Sequence, residues 1–126
     1  MKKLLILLFS LLISFNSYGE WIEVGKSVKG AIVYVDFERI RKQGGFVYYW
    51  KILNYSKPSK YGDLSSKVYE QVDCELFRYK YLTDSYYKES MGKGEITGGS
   101  NEPDKEWNYP PPQSLKEKVL KSVCSW

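Results

Sequence analysis

Four carboxylates, Asp36, Glu70, Asp73 and Glu75, first suggest chemistry, because two acids held on either side of a bond can act as general acid and general base. Their spacing argues against that role. Three of them fall on one stretch of strand character, where alternation sets Asp73 and Glu75 on one face and Glu70 on the other. Solvated or structural charge is the expectation for all four. The chain contains no histidine, which removes the Ser/His/Asp and Cys/His nucleophile arrangements, every His-containing zinc site and the commonest general base near neutral pH. Two cysteines are too few for a four-thiolate metal or iron-sulfur site, and Cys74 and Cys124 lie too far apart for a CxxC redox pair. Met91-Gly92-Lys93-Gly94 invites comparison with a phosphate loop but lacks the GxxxxGK[ST] pattern and a following helix, so a turn is expected there. No catalytic residue, metal ligand or cofactor site is expected, and hence no enzyme.

What the cysteines can do depends on the compartment. Lys2 and Lys3, an apolar run over 4–15 broken only by Ser10 and Ser14, and small residues at Ser17 and Gly19 form the pattern of a secretory signal with cleavage between Gly19 and Glu20. The run is shorter than the roughly 20 apolar residues of a membrane span, so no span is expected in the mature chain, 20–126. No cysteine stands at the cleavage point to accept a lipid. The expected location is the periplasm or the medium. Removing Lys2 and Lys3 from 19 basic residues leaves 17 against 15 acidic ones, a net of +2, with no patch suited to nucleic acid. In an oxidising compartment Cys74 and Cys124 are expected to pair. The chain-entropy estimate for a loop of that length is about 4 kcal/mol.

The elements that must position these groups show mainly period-two alternation. Strands are expected over 21–24, 31–37 and 46–55, then a polar loop over 56–63 and a long strand over 65–81. In the long strand Val68, Val72, Cys74 and Leu76 share one parity. A turn at Thr83-Asp84-Ser85 would return the chain through 86–92, with 95–97 continuing that strand before a loose segment over 98–112. Pro110-Pro111-Pro112 forbids an earlier helix, after which Ser114 is the expected N-cap and Glu117 the partner of a capping box. A helix to about Cys124 places Leu115, Val119, Leu120, Val123 and Cys124 on one arc, with Glu117, Lys118 and Lys121 opposite. The fold class is thus α+β: a single antiparallel β-sheet with a C-terminal helix packed on one face, fastened there by the disulfide.

Aromatic residues are abundant, with 12 Tyr, 5 Phe and 4 Trp. On the expected long strand Lys67, Tyr69, Phe77, Arg78, Tyr79, Lys80 and Tyr81 form the candidate partner-binding face, the rings lying away from the helix with the cations interleaved. Such a mixture suits protein recognition or homodimer formation; packing beneath a loop is the alternative.

The order Trp21, Tyr34-Val35-Asp36, Val47 with Trp50-Lys51-Ile52, Ser65-Ser66, Asp73-Cys74, Met91-Gly92-Lys93-Gly94 and Pro112-Gln113-Ser114 before a helix ending near Cys124 resembles the surface-adhesin protein E family over nearly the whole mature chain. The resemblance implies a mostly antiparallel sheet with a disulfide-tethered C-terminal helix. It also implies adhesion to host or extracellular proteins, laminin and vitronectin among them. Surface-acting members resemble lipid-anchored proteins, a feature for which this chain has no acceptor cysteine. The alternative function is a periplasmic envelope-maintenance or inhibitor protein that binds an enzyme or a cell-wall component; an inhibitor of a cationic enzyme would usually be acidic, unlike this chain.

Overall fold

Alternating β-branched and aromatic side chains build one antiparallel sheet in the computed structural model, which describes residues 20–126. The expected signal segment and its cleavage point lie outside the described residues. The strands are β1 (Ile22–Lys26), β2 (Ile32–Val35), β3 (Arg41–Gln43), β4 (Phe46–Asn54), β5 (Ser65–Asp73), β6 (Arg78–Tyr87) and β7 (Ile96–Ser100), followed by the helix α1 (Leu115–Cys124). Their spatial order is β1-β2-β4-β5-β6-β7. The short β3 pairs with the first residues of β4 while β2 pairs with its last four, so both use one edge of β4, with the 3₁₀ turn Phe37–Arg39 between them in sequence.

The long strand expected over 65–81 is instead a hairpin. β5 ends at Asp73, residues 74–77 turn, and β6 runs back along it. The turn carries no Gly, Pro or Asn. The side chain of Asp73 organises it, Oδ1 accepting from the Glu75 and Leu76 amides at 3.2 Å each and Oδ2 from Arg78 Nε at 3.0 Å. Thr83, Asp84 and Ser85, expected as a turn, lie inside β6 opposite Tyr69, Val68 and Lys67. The chain leaves β6 after Tyr87 through the 3₁₀ turn Ser90–Gly92, and β7 is a strand of its own. Residues 101–112 are pinned to β6 rather than loose, through Tyr79–Asn108 pairing and the Asp104 amide on the Tyr81 carbonyl at 2.9 Å.

The helix begins as expected, with Ser114 Oγ accepting from the Glu117 amide at 3.1 Å. Only half of the capping box is made, because Glu117 Oε1 pairs forward with Lys121 Nζ at 3.1 Å. Val119, Leu120 and Val123 are buried against Val33, Val35, Val47, Tyr49 and Val72, which makes one core between helix and sheet. The helix approaches β1 at Gly25, where a Cβ would meet the tip of the Leu115 side chain, Cδ1, at 2.6 Å. Cys74 and Cys124 are bonded with Cα atoms 5.8 Å apart, which fastens the end of α1 to the β5–β6 turn.

Candidate recognition surface

Directly paired residues of an antiparallel ladder point to the same face, so the register assigns every side chain of the central strands. Tyr49, Lys51, Val68, Glu70 and Val72 face α1; Tyr48, Trp50, Ile52, Lys67, Tyr69 and Gln71 face the other way. Across the β5–β6 pair, Tyr79 sits opposite Val72 and Tyr81 opposite Glu70, both on the helix side, while Arg78 and Lys80 oppose Asp73 and Gln71. The seven residues of the expected binding strip are therefore divided. Lys67, Tyr69, Arg78 and Lys80 share the face without the helix. Tyr79 and Tyr81 lie on the helix face, and Phe77, in the turn at φ 53°, packs against the core.

On the helix face the carboxylate of Glu70 is fully buried and holds two ammonium groups, Lys51 Nζ at 2.6 Å and Lys116 Nζ on its other oxygen. Burial alone would raise the Glu70 carboxyl, but the charges of Lys51 and Lys116 hold it below its ordinary range. Burial pushes the Lys116 ammonium down, more strongly than Glu70 supports it. That ammonium also lies 4.0 Å from the Tyr79 ring centroid and 4.9 Å from that of Tyr81. Burial, then the charge of Glu70, drives the Tyr49 hydroxyl well above its usual value. A lysine depressed in this way resembles an activated nucleophile. The cavities of about 960, 690 and 280 Å³ are lined by none of Lys116, Glu70, Tyr79 and Tyr81, however. The cluster neutralises buried charge beneath the start of the helix.

Asp36 is likewise fully buried, with Arg39 Nε 2.8 Å away. Asp73 is buried in its turn, which makes three of the four carboxylates structural. Among the described residues no group of three or more Cys, Asp or Glu is placed to hold a metal ion.

The face without the helix carries a continuous aromatic and cationic stripe. Lys67 Nζ lies 5.1 Å from the Trp50 ring centroid and 5.7 Å from that of Trp21. Trp50 meets Tyr69 at 4.7 Å, and Tyr69 stacks on Tyr48 at 6.2 Å. The Tyr48 hydroxyl accepts from Gln71 Nε2 at 3.2 Å. Towards the hairpin end Trp107 packs on Phe46 at 5.6 Å, with the Arg78 guanidinium 4.4 Å and the Lys80 ammonium 4.8 Å from its ring. Burial, then the nearby Arg39, lowers the Lys67 ammonium. Every ring in the stripe is half-buried, and its middle borders a cleft of about 280 Å³ lined by Glu38, Arg39, Ile40, Arg41, Trp50 and Tyr69. Flat rings with one wet face and a fringe of cations give broad apolar contact with long-range attraction for anionic partners.

The family profile described as surface-adhesin protein E matches residues 21–125. The chain belongs to this family. Adhesin E structures share its fold: one Haemophilus influenzae protein E structure superposes with a TM-score of 0.65 at 18% identity, covering 83% of each chain. A selenomethionine form of the same protein gives 0.66 at 18% identity, over 83% of this chain and 85% of that one. No curated protein matches the sequence. Both the sheet with its C-terminal helix and the family expected from the ordered residues are thereby established, and the chain is an adhesin-like domain. No helix among the described residues is long and apolar enough to cross a membrane.

Five rings of the stripe, Trp21, Phe46, Tyr48, Trp50 and Trp107, were not among the expected binding residues. For Phe46, Tyr48 and Trp50 a signal existed, since they alternate along one parity of β4. Trp107 had none, because it reaches the face through residues 101–112 folding back on β6.

Proposed function

We propose that this chain is an exported, non-catalytic binding domain, cleaved after Gly19, that attaches to host or extracellular proteins through the helix-free face of its sheet. The observation that carries this reading is the stripe from Trp21 and Lys67 through Trp50 and Tyr69 to Trp107, Arg78 and Lys80, whose half-buried rings remain unmatched by an apolar layer. Tyrosine, tryptophan and arginine dominate the binding energy of protein interfaces, and cations around them hasten encounter. Laminin and vitronectin are the first partners to try, as the family implies.

The test is binding of the mature chain to immobilised laminin and vitronectin by biolayer interferometry, with Trp50→Ala/Tyr69→Ala and Lys67→Glu/Lys80→Glu as variants. The aromatic pair is expected to raise Kd at least about tenfold through faster release. The charge pair should slow association and flatten its salt dependence. Variants that fold like the parent and bind as tightly would remove this face from consideration. The same stripe can bury itself against a second copy, which sedimentation of the mature chain would reveal as a dimer lost in the aromatic variant.

The lack of an acceptor cysteine at the proposed cleavage point favours a second reading, an envelope protein whose partner is an enzyme or cell-wall component inside the outer membrane. Fractionation into periplasm, outer membrane and medium separates the two.

A further inference from the structure

A cavity of about 690 Å³ lies at the opposite end of the chain's charge logic. It is lined by Tyr55, Ser59, Tyr61, Asp63, Tyr86, Thr97, Gly98 and Gly99, with no lysine or arginine among them, although the sequence as a whole carries a net charge of +4. Its volume is that of a ligand site. Asp63 is only 4% exposed. Its carboxylate accepts from two neutral hydroxyls, Thr97 Oγ1 and Ser59 Oγ, the latter at 3.2 Å. It forms no ion pair among the described residues. Its hydrogen-bond partners are neutral hydroxyls, which leaves a place for a cationic group beside it.

The walls suit such a cation. Tyr55, Tyr61 and Tyr86 line the cavity, and an ammonium brought over an aromatic ring is attracted by the ring quadrupole. Tyr61 is 75% exposed at the mouth, where the Lys60 ammonium already lies 5.0 Å from its ring centroid. The loop is held in shape without a ligand, because Ser59 Oγ accepts from the Tyr61 and Asp63 amides at 3.2 Å each. On the β7 side Gly98 and Gly99 leave the backbone bare, and a side chain at Gly99 would strike the Asp84 carbonyl at 2.4 Å.

We propose that this cavity is a binding site for an alkylammonium group, specifically a lysine side chain of a partner polypeptide, with Asp63 as counter-ion and Tyr55, Tyr61 and Tyr86 as the cage. A neutral sugar would also stack on the tyrosines, but it would leave Asp63 without its cation. The site lies apart from the aromatic stripe and does not depend on the binding role assigned to it.

The experiment is an NMR titration of the mature chain with Nα-acetyl-L-lysine N-methylamide, alongside Nα-acetyl-L-norleucine N-methylamide as neutral isostere and methyl α-D-glucoside. Saturable shifts confined to the amides around Tyr55, Tyr61, Asp63, Gly98 and Gly99 are expected with the lysine probe only, with a Kd on the order of 1 mM. Asp63→Asn should weaken binding at least about tenfold. Because Asp63 also holds its loop, Tyr61→Ala at the exposed mouth is the second variant, with a loss of about tenfold expected. Equal binding of the norleucine probe, binding of the glucoside instead, absence of any shift, or full affinity in a folded Tyr61→Ala protein would each overturn the proposal.

Discussion

Glu70 shows how much one residue can hold. It is fully buried between Lys51 and Lys116, and removing its charge takes the counter-ion from the amines packed around it. Glu70→Gln is therefore expected to destabilise the domain by about 3–5 kcal/mol, measured by urea unfolding. The same cluster sets a pH dependence. Lys116 and Lys67 are lowered from 10.5, so the unfolded chain binds more protons than the folded one below that pH, and stability rises as pH climbs towards it. Tyr81 is raised from 10.0 to about 12, chiefly by burial and then by Glu70, so its contribution is intact below 10 and is lost as pH rises towards 12. Glu70 is lowered from 4.5, and its contribution is lost as pH falls through that value and below. Thermal unfolding across pH should show a maximum on the alkaline side of neutrality, near 10. Lys116→Met should flatten the rise leading to it; an unchanged profile would show that Lys116 titrates normally.

At the scale of elements, α1 depends on both of its ends. Its start is capped by Ser114 and placed over Gly25 and Glu70, and its end is tied by Cys124 to the β5–β6 turn. Cys124→Ser is expected to lower stability by up to about 4 kcal/mol through loop closure. Hydrogen exchange should localise the loss to α1, since the hairpin ladder is intact without the bond. Two titratable thiols in the exported protein would contradict the pairing in vivo. The β5–β6 hairpin matters as much, because the turn at 74–77 together with the bulge at Leu82, the residue skipped between Thr83 opposite Tyr69 and Tyr81 opposite Glu70, decides which tyrosines meet the helix.

For the whole molecule the sheet has two unequal faces. One is sealed by the helix over an aliphatic core; the other ends in rings and cations. Proteins rarely leave such a face without a partner. Intact mass of the protein recovered from the cell envelope should correspond to residues 20–126 without lipid. Recovery of the full chain would overturn cleavage after Gly19, and recovery of an acylated form would overturn the expectation of a chain without lipid.

Local chemistry was enough for much of this fold. Prolines followed by Ser114 determine where a helix can begin, alternation marks β4 almost to the residue, and two cysteines permit one intramolecular bond. The ordered residues also sufficed to place the chain in its family. What they could not decide was the face on which Tyr79 and Tyr81 emerge. Residues 65–81 alternate as a strand would, and only pairing between β5 and β6 shows that the chain reverses at an Asp73-capped turn. Each such reversal or bulge resets the parity of every later side chain, and it is chosen by contacts distant in sequence. The same long-range pairing buries Glu70 among lysines, carries Trp107 onto the aromatic stripe, and brings Asp63 into one cavity with three tyrosines contributed by a loop and the far end of β6. Period-two patterning determines that a residue lies on a face; tertiary packing determines which face, and what it meets there.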